Sequence, residues 1–247
     1  MYDALLAEEV RITGHGGDEI AAYLARPLTG VPTPGVLVIH HMPGWDDGSK
    51  EITRTFAAHG YSAICPHLHY REGPEASPDD AAAAARAAGG VPDERFLDDA
   101  QGAIRALRAL TNSNGKVGVI GYCSGGRQSF LTACSLPVDA AVDCYGAFVI
   151  APPPDGVPLK IKPVIDKAAD LGCPLLGLFG ADDTFPDVAE VKETERILGE
   201  LGKTFEVHVY EGAGHAFFST NRTSYRPEAA NDGWQRIWDW FGRYLNT

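Results

Sequence analysis

Six short apolar runs, separated by stretches of helical periodicity, constrain what this chain can fold into more than any other feature. They are GVLVIH (35–40), YSAICP (61–66), VGVIG (117–121), AAVDCY (140–145), PLLGLFG (174–180) and FEVHVY (205–210). Runs this short, without polar alternation, suit strands covered on both faces, as in a parallel sheet. Between them, residues 94–111 place Phe96, Leu97, Ala100, Ile104, Leu107 and Leu110 on one helical stripe. Residues 187–201 do the same with Val188, Val191, Ile197, Leu198 and Leu201. A last helix is expected after Pro227, with Ala230, Trp234, Ile237, Trp238, Phe241, Tyr244 and Leu245 on one face. Near the start, EEVRIT and EIAAYLA flank Gly14, Gly16 and Gly17 and read as an antiparallel hairpin. Strands alternating with helices predict an α/β fold: a mostly parallel sheet of about eight strands with helices on both faces and its site at the strands' carboxyl ends.

Composition narrows the partners. A net charge of −12 repels nucleic acid and anionic membrane surfaces, and no run of Lys and Arg offsets it locally. The first residues carry Asp3, Glu8 and Glu9 where a secretory leader would be basic and then apolar. No segment reaches the roughly 18 continuous apolar residues of a membrane helix. A soluble, cytoplasmic protein is expected. The five cysteines (65, 123, 134, 144, 173) form no CxxC pair, which fits a reducing compartment and excludes the usual spacings of structural zinc. Cys65, Cys144 and Cys173 fall in or beside apolar runs and read as buried small hydrophobes.

No internal repeat or composition shift divides the chain, so residues 1–247 are read as a single domain. AAAAARAAGG (81–90) is a helix stopped by paired glycines. The Pro-rich APPPDGVPLKIKP (151–163) lies in a long connection, 147–170, that is either a wall or lid over the site or a plain surface loop.

Gly121-Tyr122-Cys123-Ser124-Gly125 is a G-x-C-x-G turn between an apolar strand and a helix. Glycines there let a nucleophile occupy a strained backbone conformation, and the helix amino terminus favours thiolate. A phosphate-binding loop would end in Gly-Lys-Ser/Thr, which GGR does not. Two further strand ends carry chemistry: LFGADD presents Asp182 and Asp183, and EGAGHAF presents His215. Nucleophile, acid and histidine in that order is the arrangement of α/β-hydrolases. His215 would then take the Cys123 proton, with an aspartate orienting the imidazole. Asp183 and Asp182 compete for that position, and an Asp pair after a strand also serves as a turn or helix cap.

These residues resemble those of the dienelactone hydrolase family, cysteine-dependent α/β-hydrolases without a large cap domain. The likeness runs from VLVIHHMPGW to GAGHAF, with GYCSGG as the nucleophile turn, FGADD as the acid loop and GAGHAF as the histidine loop. It implies Cys123, Asp183 and His215 as the catalytic triad, with the backbone N–H groups of Met42 and Ser124 as oxyanion donors. It also implies that Arg71, in CPHLHYREG, holds a substrate carboxylate. Where the family commonly has a glutamate that holds the resting thiol, this chain has His41. Where it has a second arginine four residues beyond the histidine, this chain has Ser219, and Arg222 either replaces that arginine or faces solvent. Tyr145 either lines the pocket or packs in the core.

A metal site is not expected. His40 and His41 would point to opposite faces of a strand, and His67 and His69 share a face but lack a clear third ligand. No cofactor is implied. The expected substrate is a small lactone or carboxylic ester, with or without a carboxylate, and the chain is expected to act as a monomer or homodimer. Two other readings stay open: a thiol switch or binding protein on the same scaffold, and a general small-ester carboxylesterase with no role in lactone cleavage.

Overall fold

The computed structural model describes residues 4–246; the acidic Asp3 and the ends of the 1–247 span lie outside them. Eight strands form one sheet: β1 (Leu5–Thr13), β2 (Glu19–Pro27), β3 (Thr33–Ile39), β4 (Ser62–Pro66), β5 (Ser113–Tyr122), β6 (Ala140–Cys144), β7 (Leu175–Gly180) and β8 (Phe205–Tyr210). Their order across the sheet is β1-β2-β4-β3-β5-β6-β7-β8. β2 runs antiparallel to both its neighbours, and every other pairing is parallel. The hairpin read from EEVRIT and EIAAYLA is the β1–β2 pair, with Ile12 opposite Ile20.

Six helices cover the sheet: α1 (Asp47–Ala58), α2 (Pro78–Ala88), α3 (Asp93–Arg108), α4 (Ser124–Ser135), α5 (Val188–Glu200) and α6 (Pro227–Leu245). Phe96, Ile104 and Leu107 of α3, Phe130 and Leu131 of α4 and Leu198 of α5 join one core with Leu37, Ile39, Val117 and Val119. Phe56 of α1 and Ile237, Trp240 and Phe241 of α6 join the other, with Val36, Val38, Ile120 and Val142. Successive residues of β3 alternate between the two cores, so a strand covered on both faces must be apolar at every position. That is why the unbroken runs were readable as strands.

Three details depart from the expected helices. α2 begins at Pro78, earlier than the alanine run suggests, because Ser77 accepts a hydrogen bond from the Asp80 amide; Gly89 ends it at φ 106°. On α5, Leu201 is exposed rather than part of the buried stripe. α1 has no counterpart among the expected elements. Two of its four buried positions are Ser49 and Thr53, and these satisfy their hydroxyls on Gly44, Asp46 and Ser49 within the local chain. Hydropathy therefore does not mark its inner face. No cap domain is inserted among the described residues, and no helix there is long and apolar enough to cross a membrane.

Candidate active site

Cys123 stands alone between β5 and α4, at φ 59° and ψ −120°. The turn is tight because backbone approaches backbone. A methyl group on Gly121 would lie 1.8 Å from the Gly125 carbonyl oxygen, and one on Gly125 would lie 2.4 Å from that of Ile39. Only glycine fits at either place. The strained cysteine thus sits at the amino end of α4, where the helix dipole favours negative charge. Tyr145, Phe148 and Ala216 also have positive φ, at 44°, 65° and 64°, and all three surround this turn. Left-handed backbone at non-glycine residues is therefore concentrated at the carboxyl ends of β5, β6 and β8.

The backbone N–H groups of Ser124 and Met42 and the ring of His215 all lie near enough to the Cys123 thiol to lower its pKa. The other side of that ring meets Asp183, with Nδ1 2.8 Å from Oδ2. Asp183 is 7% exposed, and its second oxygen accepts the Phe185 N–H at 2.9 Å. Asp182 is exposed and donates its amide to the Ala213 carbonyl. Of the two competing aspartates, Asp183 is the one beside the histidine. Burial works to raise the Cys123 pKa, but hydrogen bonding and attraction to His215, with the two amides, outweigh it and leave the thiol below its ordinary value. Burial likewise works to lower His215, yet Asp183 and Cys123 raise it to about 10. Both shifts favour a thiolate–imidazolium pair.

Two cavities open at these strand ends and share His40 as a wall. The first, beside Cys123 and Ser124, is mostly apolar, with Leu68, Val91, Leu159 and Ile161 among its walls. Leu159 and Ile161 come from the Pro-rich connection, which is a wall of this cavity; Lys160 holds it through its amide to the Gly89 carbonyl. The second cavity is lined by His41, Asp46, Glu51, Tyr145 and Ser219. Tyr145 does both things expected of it as alternatives: it lines that cavity, and it is buried against His215, Phe217 and Phe218.

Two residues expected to bind substrate are elsewhere. Arg71 lines neither cavity; its guanidinium makes two hydrogen bonds to Asp99, at 2.9 and 3.0 Å, and one to Asp18 at 2.9 Å. Asp99 is fully buried and claims the arginine, which corrects the expectation that Arg71 faces a substrate carboxylate. Arg222 is exposed and outside both walls, so it does not replace the missing arginine. His41, in the place of a glutamate, hydrogen-bonds with Asp46 at 2.7 Å. Burial opposes ionisation of Asp46, but His41 and the Ser49 amide overcome it and hold the carboxyl well below its usual range.

His67 stacks on Trp45, and His69 meets His40 edge-on. Among the described residues, no three His, Cys, Asp or Glu side chains converge as metal ligands. The sequence reading missed Asp46, Arg127, Gln128 and Phe148. A signal existed for Arg127 and Gln128: they lie four residues, about one helical turn, after Cys123 and Ser124 respectively.

A sheet of this order, with a strained turn after its fifth strand and an acid and a histidine after its seventh and eighth, is the framework of an α/β-hydrolase. The chain belongs to the dienelactone hydrolase family, whose family model it matches over residues 20–245. A crystal structure from Klebsiella pneumoniae described as a dienelactone hydrolase superposes with a TM-score of 0.86 at 33% identity, covering 98% of this chain and 100% of the other. A Methylorubrum extorquens protein named carboxymethylenebutenolidase is 36% identical over 245 residues, covering 98% of this chain and 82% of the relative. A Bradyrhizobium relative, named as a 2-oxo-3-(5-oxofuran-2-ylidene)propanoate lactonase, is 30% identical over 225 residues, 90% of this chain and 88% of its own.

Proposed function

We propose that this chain hydrolyses a small lactone or carboxylic ester, with Cys123 as nucleophile, His215 as general base and acid, and Asp183 orienting the imidazole. The observation that carries the reading is the hydrogen bond between Asp183 and His215 beside a thiol that His215 and the Ser124 and Met42 amides make more acidic. Those amides, of Met42 and Ser124, would receive the oxyanion as the carbonyl carbon becomes tetrahedral. Donors fixed in advance for that charge lower the barrier because they need no reorganisation. Ser124 acts through its backbone, and its hydroxyl has no part.

In the first half-reaction the thiolate sulfur bonds to the carbonyl carbon. The carbon–oxygen bond to the leaving alcohol breaks, and the alcohol takes the proton held by His215. A thioester remains on Cys123. In the second, His215 takes a proton from water, the hydroxide attacks the thioester, and the thiolate leaves, releasing the acid. With a lactone, the alcohol and the acid belong to one molecule, and the product is the ring-opened hydroxy acid. The names of the relatives, a butenolidase and a lactonase, support a lactone among the substrates.

Turnover of a small lactone or aryl ester by the parent and by Cys123→Ala tests this reading. A loss of at least about 10³-fold in kcat is expected, since a triad nucleophile acts as part of a unit. Rapid quenching should also trap an acyl group on the tryptic peptide that contains Cys123. Near-parent turnover by Cys123→Ala would overturn the assignment.

A further inference from the structure

The named relatives act on substrates that carry a carboxylate, and a buried carboxylate requires an unpaired cation or a full set of donors. The arginines nearest this site, Arg86 apart, are matched by carboxylates. Arg71 is held by Asp99 and Asp18. Arg127 lines the thiol cavity with a side chain only 3% exposed; both of its terminal nitrogens meet Asp93 and one also meets the Lys162 carbonyl, so its charge is matched although its Nε has no partner. Arg95 pairs with Glu72 at 2.7 Å. Arg86 of α2 acts on His69 electrostatically but belongs to neither cavity wall. The imidazolium of His215 lies between the Cys123 thiolate and Asp183. The adjoining cavity carries Asp46 and Glu51 in its wall, with no lysine or arginine. Both cavities would therefore resist an anion.

Among the uncharged side chains of the thiol cavity, His69 carries a buried nitrogen without a partner. His69 is 3% exposed and lines that cavity, yet it makes no hydrogen bond. Its Nδ1 is sealed in the interior against Gly44, which leaves Nε2 as the nitrogen available to a ligand. Burial, followed by His67 and Arg95, pushes its pKa down to about 4, so the ring is neutral at pH 7. A neutral imidazole offers one donor or one acceptor and no net charge. A buried polar group left without a partner is uncommon and points to one supplied from outside the chain.

We infer that the cavity beside Cys123 selects an uncharged acyl group, with His69 as the specificity residue that meets a polar atom of it. The inference rests on Cys123 being the reacting thiol, but it can be tested without ester turnover. Methanethiosulfonates transfer a sulfenyl group to a thiolate and release methanesulfinate, so their side group samples the cavity independently of hydrolysis. The rates at Cys123 are to be compared for the 2-sulfonatoethyl reagent and its uncharged propyl counterpart. Each is normalised to glutathione and assigned to Cys123 by peptide mass, with Cys123→Ala as the blank. The remaining four cysteines are buried.

A normalised preference of about tenfold for the uncharged reagent is expected from a cavity with no free cation. A ratio at or below one overturns the inference and would implicate Arg86 swinging inward. A chain that hydrolyses no ester but keeps the preference refutes the hydrolytic reading and upholds this one. In a folded His69→Lys chain the preference should fall by about threefold or more, as a new cation enters the wall. An unchanged ratio there removes His69 from the assignment. In hydrolysis, p-nitrophenyl pentanoate should exceed the half-ester p-nitrophenyl glutarate in kcat/KM, and the reverse order also overturns it.

Discussion

At the scale of single residues, the charge state of Cys123 is set by its neighbours and not by its burial, which acts the other way. A thiol whose pKa is lowered keeps its thiolate to lower pH and loses it as pH falls through the shifted value. Alkylation of Cys123 by iodoacetamide should therefore inflect below the ordinary thiol value of 9.0. In His215→Ala the opposing effect of burial is left less opposed, and the inflection should move upward; rates measured across pH by peptide mass check both. The convergence of Cys123, Asp183 and His215 was legible because each lies at a strand end with its own glycine-rich context. The fate of Arg71 was not. Its local sequence fits a substrate-binding arginine, but the residue that claims it, Asp99, lies 28 positions away on α3. Nothing within the segment records that pairing.

At the scale of elements, the turn leaving β6 illustrates how a neighbour supports the Cys123 turn. Asp143 is buried, accepts the Gly146 N–H at 2.8 Å and lies against Gly126 of α4. Burial raises its pKa from 3.8 to about 7, with the Gly146 amide opposing. A carboxyl raised in the folded state holds its proton there when the unfolded chain has lost it, so folding weakens as pH rises from about 4 to about 7. Asp143→Asn keeps an acceptor oxygen and removes the titration. Its melting temperature should change less than the parent's over that window, in thermal scans at several pH values. Helix α1 shows the opposite side of legibility. Its N-cap, Asp46, lines the second cavity, yet its buried Ser49 and Thr53 gave no apolar stripe to read. β3 to β7 were readable because both faces of the sheet are covered there, whereas β8 lies half-exposed at the edge.

At the scale of the whole molecule, Arg71 is a clasp. It joins the loop after β4 to Asp99 on α3, and to Asp18 and the His15 carbonyl between β1 and β2. Arg71→Ala leaves Asp99 buried without its counter-ion, and unfolding in urea should show a loss of about 3 kcal/mol. The preference between charged and uncharged substrates should not follow, because the clasp touches neither cavity; a shift of that preference in the folded variant would contradict this placement.

The architecture also separates two kinds of change. Cys123, Asp183 and His215 are placed by strands of one sheet, whose register is fixed by pairing along β5 to β8. Leu159 and Ile161, by contrast, come from an irregular connection moored by a few hydrogen bonds, of Lys160 to Gly89, Arg127 to Lys162, and Val164 and Ile165 to Val149. Lengthening or rewriting residues 151–158, between these moorings, would reshape the cavity while leaving Cys123, Asp183 and His215 in register. Descendants of this scaffold can therefore explore new substrates by drift in one loop, with the chemistry inherited intact.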